Sequence, residues 1–197
     1  ELPQVFEELL ADPSFQAVLT NVIPGIPIEM LAAQLHQCKT NLDVQKTFFY
    51  SLLHGIIDKH SDGFDMDTSS LDDKNRNYTF ISNHRDIVLD PGFLSVGLID
   101  NNFPTTVEIA IGDNLLIYPW IKKLVRVNKS FIVQRALSMR QMLESSARMS
   151  RYIHFAVTEK KENVWIAQRE GRAKDSNDRT QDSVLKMLAM AGEGNII

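Results

Sequence analysis

The sequence predicts an α/β fold, with a largely parallel or mixed sheet covered by helices and preceded by a small helical N-terminal module. Three observations carry this expectation. Val44, Phe48, Leu52 and Ile56 recur every four residues with Phe49, Leu53 and Ile57 beside them, the wide apolar stripe of a core-facing helix. The stretch from Ser61 to Asn77 is then polar and acidic, carrying Asp62, Asp65, Asp67, Asp72 and Asp73. From Tyr78 onward, short runs of β-branched and aromatic residues alternate with longer helical patterns. Strands alternating with helices of ten or more residues favour a parallel sheet with helices on its faces.

In order along the chain, residues 1 to about 60 read as helical. One segment lies near Phe6 to Val18, and Pro24-Gly25-Ile26-Pro27 separates it from another spanning Ile28 to Gln37. The acidic stretch is not a calcium loop, because Gly63 comes too early and no closing glutamate follows. It reads as a solvated linker. The domain division expected is therefore a helical module with its linker over 1–70 and an α/β domain over 71–197. Within the second part, strands are expected at Tyr78–Ser82, Thr106–Ile111, Lys129–Arg135 and Asn163–Gln168. Helices are expected at Gly92–Leu98, Asn114–Leu124 (with Pro119 inside), Leu137–Tyr152 and Gln181–Met190.

The 197 residues are 44% hydrophobic and 23% charged, enough apolar material for a real core. Lys plus Arg total 21 against 25 Asp plus Glu, a net charge of -4, which lacks the basic footprint of a nucleic-acid binder. Local basic clusters can still attract anions. The one cysteine, Cys38, excludes an internal disulfide and points to a reducing, cytoplasmic compartment. Its helical context, Leu35-His36-Gln37-Cys38, reads as a buried structural thiol. No apolar run approaches the ~20 residues of a membrane span. Glu1 in place of Met reads as a trimmed start, and the apolar end at Ile196-Ile197 leads us to expect that the natural chain continues.

Chemistry concentrates at three strand ends. The first delivers Asn83, His84 and Arg85, with Asp86 and Asp90 close behind. The second ends in Gln134-Arg135, and the third in Arg169-Glu170-Gly171-Arg172 with Lys174 nearby. In a parallel sheet such ends converge on one rim, where ligand sites form. A histidine oriented by a carboxylate takes a proton from a hydroxyl near neutral pH, and arginines hold a phosphate bidentately. The residue types alone thus point to base-assisted attack by the alcohol of a phosphorylated substrate. His36, His54, His60 and His154 have no comparable company and are read as structural.

The same three stretches resemble the motifs of the glycerol-3-phosphate and 1-acylglycerol-3-phosphate acyltransferase superfamily. Asn83-His84-Arg85 with Asp90-Pro91 is similar to its first motif. Phe131-Ile132-Val133-Gln134-Arg135 looks like its second, and Glu170-Gly171-Arg172 resembles its third. The resemblance covers roughly Tyr78 to Lys174. There are two departures. Five residues rather than the family's four separate His84 from its carboxylate if that carboxylate is Asp90, with Asp86 as the competitor, and the third motif lacks one residue before Arg172.

The resemblance implies an enzyme that moves a fatty acyl group from acyl-coenzyme A or acyl-carrier protein to a hydroxyl of glycerol 3-phosphate or a lysophospholipid, in phospholipid biosynthesis. His84 and Asp90 would be catalytic, with Asn83, Arg85, Phe131, Arg135, Glu170, Gly171 and Arg172 binding substrate. No metal and no cofactor beyond the acyl co-substrate is implied. Residues 1 to 60, together with Lys122, Lys123 and Arg126 beside Trp120, are candidates for peripheral contact with the inner face of the membrane; a solvated basic helix face is the alternative. Two other functions fit the residues: a metal-dependent hydrolase using His84, Asp86 and Asp90, and a non-catalytic phospholipid-binding module.

Overall fold

In the computed structural model, residues 2–175 and 177–192 are described. The N-terminal module comprises α1 (Leu2–Leu10), α2 (Pro13–Val22), α3 (Ile28–Gln37), α4 (Asn41–Val44), a π-helical turn (Gln45–Phe49) and α5 (Tyr50–His60). The single segment expected near Phe6 to Val18 is instead two helices. Asp12 caps the second, accepting from the amides of Ser14 and Phe15 at 2.9 and 3.2 Å, and Pro13 occupies its first turn. The polar stretch after α5 is a loop, as its composition requires.

β1 (Thr79–Ser82), α6 (Leu89–Asp100), β2 (Val107–Gly112), α7 (Pro119–Val127), β3 (Ser130–Val133), α8 (Met139–Thr158), β4 (Asn163–Ala167) and α9 (Asp182–Ala189) follow. Among the described residues the strands form one sheet, parallel throughout, in the order β1-β4-β2-β3. The fold expectation therefore holds in its parallel form. The helix expected over Asn114–Leu124 is displaced: a short 3-10 turn covers Asp113–Leu115, and Pro119 opens α7 from its first position rather than interrupting it.

The side chains of each strand alternate between two cores. Leu98, Phe103, Val107, Ile109 and Trp165 pack on the α6 face. Val164 and Ile166 meet Ile153, Ala156 and Met187 on the α8–α9 face. A third core fills the module with Phe6, Leu9, Phe15, Leu31 and Phe48, and α7 completes it through Val127, Trp120 and Leu124. At the amino-terminal end of the strands, buried Gln45 donates to Asn128 Oδ1 at 3.0 Å and bonds Thr106, tying module to sheet.

One buried ionic cluster makes stability depend on alkaline pH. Glu108, on β2, is 3% exposed; it accepts from the Tyr152 hydroxyl at 2.7 Å and pairs with Lys160. Burial, then the hydrogen bond and charge of Glu108, push the Tyr152 phenol from its ordinary 10.0 up to about 12. A group with a raised folded-state pKa binds its proton more tightly in the native state. Its contribution is complete below the unfolded value and fades as pH rises from about 10 to about 12. Tyr152→Phe is expected to flatten the decline of unfolding free energy across that window. Equal slopes for wild type and variant in denaturant titrations at several alkaline pH values would refute this.

Candidate active site

Strand β1 ends at Ser82, and the chain turns through Asn83, His84 and Arg85 into the approach to α6. Asp86 shapes that approach. Its Oδ1 accepts from the amides of Val88 and Leu89, both at 2.8 Å, an Asx-type turn that meets amide donors at the start of α6. Asp90 lies in the first turn of α6, where the helix dipole favours a carboxylate. Its Oδ2 is 3.0 Å from His84 Nδ1, and it also accepts from the amides of Arg85 at 2.8 Å and Asp86 at 3.1 Å. Asp90 therefore reaches the imidazole, and Asp86 does not. The extra residue between His84 and Asp90 is taken up in the Asp86 turn.

The His84 and Asp90 side chains are 12% and 17% exposed, shielded enough for their hydrogen bond to hold the ring yet open on one side. The ring stands edge-on to Trp165, with centroids 5.8 Å apart, and Trp165 is itself fixed by its Nε1–H donating to Ser82 Oγ at 2.9 Å. With Nδ1–H directed at Asp90, Nε2 carries the lone pair. It has no hydrogen-bond partner among the described residues. This is the arrangement a general base requires.

The other two strand ends come to the same rim. Arg135, just past β3, crosses over β2 to pair with Glu170, beyond β4, at 2.5 Å. That path runs over Gly112, where a Cβ would sit 2.5 Å from Arg135 Nε and 2.4 Å from Asn114 Oδ1. A side chain at the end of β2 would therefore force Arg135 and Asn114 to move, a constraint the sequence expresses only as a glycine closing a strand. Gly171 has φ +73 with open space around it, so its role is the left-handed turn after Glu170. Arg172 is exposed and makes no hydrogen bond among the described residues. Arg85 donates to the Asp175 carbonyl at 3.2 Å, and Asn83 Oδ1 lies 3.4 Å from Gln168 Nε2.

Phe131 departs from its expected binding role. It lies inside β3 and packs on Tyr152 at 5.0 Å between centroids, in the core beneath α8. Two positions short of the strand's end on the core-facing side, it is a packing residue and not part of the rim. Behind Arg135 an apolar cavity of about 330 Å³ opens between the sheet and α8–α9, lined by Val133, Leu137, Met142, Met149 and Val184, with Glu170 and Arg169 at its polar edge.

Residues 65–192 match the family model described as Acyltransferase. The chain belongs to this acyltransferase family, that of the glycerol-3-phosphate and 1-acylglycerol-3-phosphate superfamily. No curated protein and no solved structure matches the chain. The three strand ends of the acyltransferase all fall inside the matched span. Among its described residues, no three His, Cys, Asp or Glu side chains are grouped to hold a metal ion. Asp86, which a metal site would need beside His84 and Asp90, is committed to the backbone of the α6 approach. No helix among those residues is long and apolar enough to cross a membrane.

Proposed function

We propose that this acyltransferase transfers a fatty acyl group from a thioester, acyl-coenzyme A or acyl-carrier protein, to a hydroxyl of glycerol 3-phosphate or a lysophospholipid. The observation that supports this best is the His84–Asp90 pair at 3.0 Å, set at a strand end on the same rim of the parallel sheet as Arg135 and Arg172. In this reading His84 Nε2 takes the proton of the acceptor hydroxyl as its oxygen attacks the thioester carbonyl. The tetrahedral adduct collapses with cleavage of the carbon–sulfur bond, and the imidazolium returns its proton to the departing thiolate. Asp90 holds the ring and stabilises the imidazolium. No acyl-enzyme is required, so no Ser or Cys nucleophile is needed.

Arg172 and Arg135 would bind the acceptor's phosphate, the latter released from or shared with Glu170. The cavity behind Arg135 is the apolar volume best suited to the donor's alkyl chain. Tyr118 and Ile117, exposed at the start of α7, with Lys122 and Arg126 on its outer side, offer a peripheral contact with an anionic membrane; Lys123 is already paired with Glu8 at 2.6 Å.

The reading is tested by following thiol release from an acyl thioester with glycerol 3-phosphate, a lysophosphatidate and unphosphorylated glycerol as acceptors. Release is expected only with the phosphorylated acceptors. Preference for the unphosphorylated alcohol would overturn it. Arg172→Ala should cost roughly 1.5–3 kcal/mol of acceptor affinity, the loss of one charged hydrogen-bonding partner. An unchanged KM for every phosphorylated acceptor would remove Arg172 from the phosphate site.

A further inference from the structure

We propose that Asp178 is a positioning residue for His84; this rests on the reading of His84 as the base. Both backbone groups of His84 are held by the loop that follows β4. The His84 amide donates to Asp178 Oδ2 at 2.7 Å, and the His84 carbonyl accepts from the Ala173 amide at 2.7 Å. The loop is in turn anchored on β4. The Asp178 carbonyl accepts from Gln168 Nε2 at 3.0 Å, and Thr180 Oγ1 donates to Gln168 Oε1 at 2.8 Å.

The Asp178 side chain is 3% exposed, and its second oxygen, Oδ1, is buried without a hydrogen-bond partner among the described residues; Arg169 Nε stays 3.9 Å away. Burying a carboxylate with one oxygen unmet costs free energy that an ordinary surface loop does not spend. Beyond its long ion pair with Arg169, the carboxylate makes one hydrogen bond, to the amide of His84. Asp90 fixes the ring from its Nδ1 side while Asp178 fixes the backbone from which the ring projects. Two carboxylates, one from each side, thus set where Nε2 points. Misplacing a catalytic group by about 1 Å costs on the order of 100-fold in rate.

The test compares kcat and KM for thiol release, with thermal melting alongside. Asp178→Ala is expected to lower kcat about 10- to 100-fold with KM for donor and acceptor unchanged. Asp178→Asn, which keeps an acceptor opposite the His84 amide, should restore most of the lost kcat. Thr180→Val removes a hydrogen bond from the same loop without touching His84 and should leave kcat as in wild type. Should Asp178→Ala not fold, Asp178→Ser, too short to reach the amide, takes its place with the same expectation. Wild-type kcat in the folded Ala or Ser variant, while His84→Ala is inactive, overturns the positioning role alone. Full activity in His84→Ala overturns the base assignment and this proposal with it. A fall in kcat that Asn does not restore, or an equal fall in Thr180→Val, reduces Asp178 to a loop tie and also refutes the proposal.

Discussion

His84→Ala is expected to lower kcat for acyl transfer by about 10²–10⁴-fold, the range that a general base supplies. The protein should still fold. The His84 backbone bonds to Asp178 and Ala173 survive the substitution, and the ring contributes only an edge contact to Trp165. Asp90 keeps two of its three donors, the amides of Arg85 and Asp86. The loss should therefore appear in kcat rather than in the melting temperature. Thiol release from the thioester, followed with a saturating acceptor, measures it directly. A folded His84→Ala protein with wild-type turnover would end the base assignment and leave the rim as a binding surface.

The parallel sheet was legible because each strand is a short apolar run with a helix-length interval before the next. The convergence of His84, Arg135 and Glu170 followed from that topology, since parallel strands present their carboxyl ends together. What the sequence could not supply was strand order. Only with β2 between β4 and β3 does Arg135 have to cross Gly112 to meet Glu170, and nothing local marks that glycine for the purpose. The helix break at Asp12-Pro13 was a different kind of miss. The apolar spacing of Phe6, Leu9 and Phe15 continues across it, but a capping side chain followed by proline outweighs periodicity.

Asp178 had no local signature at all. It sits in a polar run after β4, and its partner amide is 94 residues away in the chain. Such a residue becomes visible only through burial, because a charged side chain in a loop is normally solvated. Phe131 shows the converse. Its likeness to a family motif suggested substrate contact, while its position within β3 places it under α8 beside Tyr152. Motif likeness places a segment; the parity and depth of a residue in its strand decide what its side chain can touch.

Between Asp86 and Asp90, the likeness of Asp90-Pro91 to the family motif favoured Asp90, although both lie close enough in sequence to reach the ring. Backbone amides decide the choice: those of Val88 and Leu89 occupy Asp86, and those of Arg85 and Asp86 orient Asp90. The two carboxylates should accordingly fail in different ways when altered. Asp90→Asn keeps an oxygen for the two amides, so the loop should hold. That same oxygen stays opposite Nδ1, but it has no charge to stabilise an imidazolium, which weakens the base. We expect kcat to fall by on the order of 10²–10⁴-fold with the melting temperature little changed. Asp86→Ala should do the reverse. It removes the acceptor for two amides at the start of α6, costing about 0.5–2 kcal/mol of stability, while kcat stays near wild type. Thermal melts and saturating-substrate turnover of the two variants separate these outcomes. If Asp86→Ala loses turnover as severely as Asp90→Asn, the two carboxylates work as one unit on the ring, and the division drawn from their hydrogen bonds is wrong.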